Sequence, residues 1–439
     1  MNAFNAASGT VQAALRELGD QGLICKIQGK GCFWGTVPLA SASPEIRLST
    51  MERLDANFER DLERGFFKLN APLPQGKELS IRYDVSQNTL RKFLTQKVEL
   101  GILVKGGRSY RFRQKENAFQ KDFLSELVFV TRCNSWGGFT AESERELDFL
   151  RFVYKTAGNN KYKLILLGYN DDTATLIDRS GKKCRLQDYP NAVGVIISTL
   201  LVQKFKPLLE NFSSAKIPVA VWWEHPEENV PSYFLKKENW IFFNSTFGKK
   251  PGIELGRFLK SKGFSEVNYF SPYHNSSWSV DRLTGMEESG LTVHPFVDSQ
   301  YASPWDFKEI ARKKVEKHSV EIHARNLEKE KLASLMEKAF QENLISKDIP
   351  WVCVNDEIAS LFLELIEDSK SPAQHMAETV RNIMLVAFDN SAESYLLRLP
   401  SYDFNTEALV EHIFYYISNP DAFYGKKKIH HILGNVVEK

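Results

Sequence analysis

Two groups of side chains in this sequence have the types and spacing to do chemistry. The first lies between Ser86 and Arg108. Apolar Leu90, Phe93, Leu94 and Val98 recur at helical spacing, which leaves Gln87, Asn88, Arg91, Lys92 and Thr95 on the opposite face. Lys105-Gly106-Gly107-Arg108 then makes a glycine-tipped basic turn, and Arg111 follows it. Polar side chains near a helix N-terminus can reach base edges, and Lys and Arg pair with phosphates. A glycine tip lets backbone approach such a surface closely. The second group is spread over the remainder. Trp136, Trp222, Trp223, Trp278 and Trp305 fall at expected strand ends or adjoining loops, with Glu224, Arg282, Asp356 and Asp389 as charged companions. Indole faces stack on the apolar face of a pyranose, and charged side chains bond hydroxyls bidentately. Any single Trp serves packing more often than binding; nucleosides and amino-acid-like ligands are the alternatives to a carbohydrate.

Other chemistry finds less support. Asp356 and Asp389 are better suited to accepting hydroxyls than to paired acid and base catalysis. His318 and His323, five apart, lack the i, i+4 spacing for a shared metal. His430-His431 beside Lys426-Lys427-Lys428 reads as an exposed tail. No Ser or Cys nucleophile with an ordered His partner is visible. The five cysteines are scattered and include no CxxC pair, so neither a disulfide framework nor a zinc site is suggested. The expectation is no enzyme, no metal, no cofactor and a cytoplasmic location.

The elements that position the first group run in a definite order. Lys77–Tyr83 reads as a short helix, Asp84-Val85 as a tight turn and Ser86 as the N-cap of a helix over Gln87–Glu99. Gly101 ends that helix. Ile102-Leu103-Val104 and Ser109-Tyr110-Arg111-Phe112 flank the glycine turn as a hairpin. Helix, turn, helix and basic hairpin is the plan of a winged helix.

This stretch resembles the DNA-binding domain of the GntR family. The matching residues are Leu73-Pro74, Lys77-Glu78-Leu79, Tyr83, Val85-Ser86-Gln87-Asn88-Thr89-Leu90-Arg91, Gly101-Ile102-Leu103 and the wing. Gln75-Gly76 stands where the family usually has Ser-Glu, and Gln87 where it has Arg, so the operator sequence does not transfer. The resemblance implies that Lys77, Gln87, Thr89, Arg91 and Gly107 touch DNA. Joined to the residue pattern, it gives a DNA-binding set of Lys77, Ser86, Gln87, Asn88, Thr89, Arg91, Lys105, Gly107 and Arg108. A winged helix used for protein contact is the plainer alternative.

A weaker copy precedes it, offset by 79 residues. Thr10-Val11 falls on Thr89-Leu90, Leu15 on Leu94, Gly22-Leu23-Ile24 on Gly101-Ile102-Leu103 and Phe33 on Phe112. Residues 7–33 therefore read as a recognition helix and wing, with Gln28-Gly29-Lys30-Gly31 at the tip. The copy lacks its front half, which leaves an apolar face uncovered; a lost or misassigned upstream segment is expected, ahead of a covering partner or a remnant.

From Glu126 onward strands alternate with helices. Leu127–Val130, Tyr162–Leu167, Val193–Ile197, Ile217–Trp222 and Val267–Phe270 are near-continuous apolar runs, with helices expected at 144–157, 201–212, 251–262 and 277–289. Such runs imply a parallel sheet covered on both faces, and ligands bind beyond the carboxyl ends of its strands. Residues 305–345 read as a longer charged helix. The order resembles the sugar-sensing domain of the LacI/GalR family, itself similar to periplasmic binding proteins. The landmarks are Gly194–Ile197 followed by Ile217–Val221, Arg282-Leu283-Thr284-Gly285-Met286 as a turn after a ligand loop, Val352–Ala359 with Asn355-Asp356-Glu357, and Leu385–Asn390 followed by Pro400 and a helix at 405–417. The resemblance covers roughly 125–420 and implies that Arg282, Asn355 and Asp389 touch a ligand between two lobes. The full effector set is Trp136, Trp222, Glu224, Trp278, Arg282, Asn355, Asp356 and Asp389. A winged helix on such a sensor resembles the arrangement of arabinose repressors.

Charge fits this division. Residues 1–115 carry 18 Lys and Arg against 11 Asp and Glu, and the remainder 39 against 44. A basic head on an acidic body suits a polyanion-binding module joined to one that is not. The expected organisation is therefore multidomain: winged helix-turn-helix units (α+β), then a two-lobed α/β periplasmic-binding-protein-like domain. A partial winged helix spans 1–36, a small-residue linker 37–44, the complete winged helix 45–115 and the sensor 116–439. The expected partners are a double-stranded DNA operator, a mono- or oligosaccharide effector and a second copy of the chain in a homodimer. No apolar run of membrane-spanning length is present. The alternative function is a carbohydrate-binding protein or carbohydrate-active enzyme with a vestigial DNA-binding head.

Overall fold

The computed structural model describes residues 8–21, 23–27, 31–34, 49–69, 71–107, 109–113, 125–134, 137–139, 141, 143–316, 319–342, 344, 346, 348–367, 383–423 and 427–439. It divides into two units, Met1–Arg53 and Leu54–Lys439. Trp136, Arg108, His318 and the linker expected at 37–44 lie outside the described residues.

In the first unit, helix α1 (Ser8–Asp20) leads into an antiparallel hairpin of β1 (Ile24–Ile27) and β2 (Gly31–Trp34). Ile24 is buried, whereas Leu15 and Leu23 are exposed.

Helix α2 (Thr50–Glu63) leads into the second unit and is followed by α3 (Gly76–Arg82), α4 (Gln87–Glu99) and a hairpin of β3 (Leu103–Gly106) with β4 (Ser109–Phe112). The start of α4 lies 79 residues after that of α1, and so does its end. The repeat seen in the residues is thus also a repeat of elements. Ser86 caps α4 by accepting from Thr89 N at 3.1 Å. The core of this head is aromatic: the Phe58 ring lies 4.8 Å from Phe67 and 5.3 Å from Phe93. Asp61 is buried there and accepts from Arg82 Nε at 2.5 Å and Tyr83 OH at 2.8 Å, so its charge is paired rather than stranded. Gly101 and Gly107 take positive φ, 71° and 61°, where a side chain would strain the chain reversal.

The rest of the second unit has two lobes. In lobe 1 come β5 (Ser125–Arg132), α5 (Glu144–Asn159), β6 (Tyr162–Asn170), β7 (Thr175–Ile177), β8 (Ala192–Ser198), α6 (Phe205–Glu210), β9 (Val219–Trp222), α7 (Ser232–Leu235) and β10 (Trp240–Asn244). Lobe 2 holds α8 (Lys250–Ser261), β11 (Glu266–Ser271), α9 (Ser277–Glu288), β12 (Thr292–Val297), α10 (Pro304–Arg312), α11 (Val320–Gln341), β13 (Trp351–Cys353), α12 (Asp356–Glu367), β14 (Leu385–Phe388), α13 (Ala392–Leu396) and β15 (Ser401–Asp403). The chain then returns to lobe 1 with α14 (Thr406–Ser418) and β16 (Ile429–His431), and ends in lobe 2 with β17 (Asn435–Val437). The sheets run β16-β10-β9-β8-β5-β6-β7 and β12-β11-β13-β14-β15-β17. All pairings in them are parallel except β6 with β7 and β15 with β17. Both faces of the central strands are covered, which is why β8, β9 and β10 are buried almost end to end. Among the described residues the chain crosses between lobes three times, at 245–249, 404–405 and 432–434.

Three expectations need correction. His430-His431 is no exposed tail: it forms β16, in parallel register with Phe243 and Asn244, and His431 pairs with Glu227 at 2.7 Å. Among the described residues the charged stretch 305–345 holds two separate α-helices rather than one, with α10 capped by Ser303 and Asp306. Gly285 sits inside α9 rather than in a turn. A Cβ there would lie 2.2 Å from Lys249 O and 2.9 Å from Gly252 Cα, so glycine is needed for close crossing of α8 and α9.

Candidate binding cleft and basic face

A cavity of about 500 Å³ opens between the lobes. Lobe 1 contributes the first turns of α5, with Glu144, Arg145, Asp148 and Phe152; lobe 2 contributes Asn355, Asp356 and Glu357 at the start of α12, Asp389–Ser391 after β14, and Arg325. Asp403 at the end of β15, and Phe404 and Asn405 of the crossover, complete its lining. These positions follow from the fold, since helix N-termini and strand carboxyl ends in parallel α/β layers meet on the same edge. Ser143 caps α5 by accepting from Glu146 N at 3.2 Å, and Asn355 caps α12 by accepting from Ile358 N at 2.9 Å. Carboxylates in these first turns are favoured by the orphan N–H groups and the helix dipole.

Of the effector residues expected from sequence, Asn355, Asp356 and Asp389 line the cavity. Asp389 and Asn390 hold left-handed backbone, φ 108° and 51°, which is strain at the cavity wall. Asp356 is nearly fully buried, accepting from Ser391 N at 2.7 Å and Ser401 Oγ at 2.6 Å. Burial, reinforced by the nearby Asp389 charge, pushes its carboxyl up to about 6.

Arg282, Trp278, Trp222 and Glu224 lie behind the cavity wall. The Arg282 guanidinium is buried over the rings of Phe388 (4.5 Å), Trp278 (4.7 Å) and Phe404 (5.2 Å), and donates to Val354 O. Burial lowers its pKa despite the Asp389 carboxylate. Trp222 is fully buried and donates Nε1 to Glu224 at 2.6 Å. Glu224 in turn holds Arg145, which also donates to Thr246 Oγ1 at 2.7 Å and lies 4.6 Å from the Phe404 ring. Phe404 thus carries one arginine from each lobe. Trp305 is exposed on α10.

Sequence reasoning passed over Glu144, Arg145, Asp403, Phe404 and Asn405. Glu144 reaches across the cleft, accepting from Ala392 N of lobe 2 at 2.7 Å. The available signal was Ser143 followed by a charged first helical turn directly after the apolar β5; nothing marked the crossover.

The second surface is on the head. Arg91, Lys92, Thr95, Gln96 and Glu99 of α4 and Lys105 of β3 line a shallow groove of about 260 Å³. Lys77, Ser86, Gln87, Asn88, Arg91, Lys105 and Gly107 are exposed, and Thr89 is half-buried beneath its bond to Ser86. Asn88 Oδ1 accepts from Arg91 at 3.4 Å. Among the described residues, no helix is long and apolar enough to cross a membrane.

No family model matches the chain. No curated protein matches it. Solved structures similar to it include the Escherichia coli transcriptional repressor ascG, at 12% identity over 72% of this chain and 98% of that one, TM-score 0.44. The periplasmic binding ribose operon repressor protein from Lactobacillus acidophilus gives 11% identity, 72% and 97% coverage and TM-score 0.41. The transcriptional regulator CelR in complex with cellobiose gives 11% identity, 83% and 98% coverage and TM-score 0.40. The likeness is one of chain course and assigns no residue a role.

Proposed function

We propose that this chain is a DNA-binding transcriptional regulator, a repressor, controlled by a small polyhydroxylated effector of the sugar class. The observation that carries the reading is one body that holds both a basic helix-and-hairpin face and a polar cleft between two lobes. Residues 54–113 act as a winged helix of the GntR kind. Helix α4 enters the major groove, where Gln87, Asn88 and Arg91 meet base edges, and Lys77, Lys105, Gly107 and Arg108 set register on phosphates. Two such heads in a homodimer meet two half-sites. The remainder acts as a LacI/GalR-like sensor, working in the cytoplasm.

In the cleft, Asp389, Asp356 and Glu144 accept from hydroxyls, and Asn355 Nδ2 donates to them. The excess of carboxylates disfavours anionic ligands such as sugar phosphates, because a like charge must be desolvated beside them. Effector binding favours one arrangement of the lobes and acts only through its differential affinity for that arrangement.

Two measurements on the full chain test this. A low-salt shift assay with genomic fragments should show binding that falls steeply with salt. A panel of neutral mono- and disaccharides should include members that raise Tm without being consumed. Turnover of a panel sugar would favour the enzyme alternative, and absence of DNA binding would overturn the regulator.

A further inference from the structure

The C-terminal end of α2 is held by the two-lobed body as well as by its own chain. Locally the helix closes with a Schellman pattern: Gly65 N donates to Leu62 O at 3.1 Å and Phe66 N to Asp61 O at 2.9 Å. Three successive carbonyls at this end then each accept a bond from a different distant segment. His412 Nε2 on α14 meets Leu62 O at 2.9 Å, Leu433 N meets Glu63 O at 2.8 Å, and Asn405 Nδ2 meets Arg64 O at 2.8 Å. Orphan carbonyls of a helix end need such partners, and here another part of the fold provides them.

These partners belong to parts of the body that a lobe motion would separate. His412 lies on α14, which packs against β8 and β9 of lobe 1, and Tyr415 of the same helix donates to Arg113 O at 2.9 Å. Asn405 and Leu433 lie in two of the three crossovers. On the lobe 2 side, α8 packs on α9 and β17, and its Glu254 and Lys250 pair with Arg64 and Glu63. The head therefore stands on both lobes at once. Asn405 also lines the cleft, holds left-handed backbone (φ 56°) and caps α14 through Ala408 N at 3.3 Å.

We infer that this joint couples the cleft to the head within one chain. A change of angle between the lobes carries α8 away from α14, and the end of α2 cannot follow both. Whichever set of bonds it keeps fixes the direction in which α4 points. The inference rests on the proposed roles of cleft and head, and adds that neither a loose tether nor a second subunit is needed to link them.

The test removes the lobe 2 half of the joint, with Glu254→Gln and Lys250→Gln together, in the full-length protein. The probes are a mixed-sequence DNA duplex and the panel sugar that raises Tm most. In the wild type, that sugar should change duplex affinity by about fivefold or more, the lower range of allosteric couplings. In the variant the change should shrink below about twofold, with sugar affinity by tryptophan fluorescence unchanged, since coupling rather than binding is removed. A wild-type response in the variant overturns the joint. Should no sugar or no duplex bind, the fault lies with the proposed function. Amide exchange at Leu433 then judges the docking: Asn405→Gly, which preserves left-handed backbone, should speed it, and unchanged exchange overturns the inference.

Discussion

Arg282 Nη2 stands 4.0 Å from Asp389 Oδ1, so a fully buried guanidinium faces this carboxylate across a gap rather than in a closed pair. Asp389 is 29% exposed on its side chain and strained in its backbone, which makes it the movable partner. A hydroxyl of a bound ligand can enter that gap and bond both groups.

Asp389→Ala should therefore abolish the Tm rise caused by the best panel sugar. The bare protein should lose about 1–2 kcal/mol, less than for a fully buried pair because Asp389 is partly solvated. Full ligand stabilisation in this variant would show that the cleft is not built around Asp389.

On the head, Arg91→Ala with Arg108→Ala should weaken duplex binding while leaving sugar stabilisation intact. Each phosphate-pairing cation removed should lower the slope of log K against log salt by about one. A shift assay across salt concentrations reads both quantities, and an unchanged low-salt affinity rejects the DNA-binding face.

Asp356 gives a pH-dependent prediction. Its carboxyl is pushed up to about 6, above the ordinary 3.8, so the fold prefers it neutral. Stability is undiminished below the ordinary value and falls as pH rises through the window to about 6, by about 3 kcal/mol if the site does not relax. Asp356→Asn should raise Tm at pH 8 and leave it nearly unchanged at pH 4. Equal effects at both pH values would mean that hydrogen bonding, not charge, dominates.

His412 behaves in the opposite sense. Burial pushes it down to about 4 from 6.5, so the neutral ring is preferred in the fold. Its contribution is whole above 6.5 and is lost as pH falls towards 4, by about 3 kcal/mol at most. His412→Gln, which keeps a donor for Leu62 O, should flatten the acid limb of a Tm profile.

Two glycines separate backbone need from chance. Gly285→Ala should destabilise by about 2 kcal/mol, because the new methyl meets the backbone of α8. Gly158→Ala, in the last turns of α5 with nothing within 4 Å, should stabilise by about 0.5–1 kcal/mol. Denaturant titration of both variants checks the contrast.

The elements were readable where local pattern and burial coincide. Ser86, the apolar spacing of α4 and the two left-handed glycines define their segment within a few residues, and apolar runs mark β8 and β9. Of the cleft residues at strand ends, Asn355 and Asp389 come from the resemblance to the LacI/GalR sensor and Asp356 from its place as a charged companion suited to hydroxyls; parallel sheets put such ends on one edge. Trp222 shows the limit: it ends a central strand covered on both faces, and a strand-end indole there serves the core as readily as a ligand. Phe404 and Asn405 were illegible because their roles depend on three chain crossings, which bring residues hundreds of positions apart onto one ring or one carbonyl.

The place of β16 has a consequence for biosynthesis. Six strands of lobe 1 have been made by Asn244, yet the strand that covers the open edge of β10 comes only after nearly the whole of lobe 2. During translation lobe 1 therefore waits with an unpaired apolar border and without helix α14 over its sheet, a state prone to edge-to-edge association. Nascent chains stopped before residue 429 should need chaperone shielding that the finished protein does not.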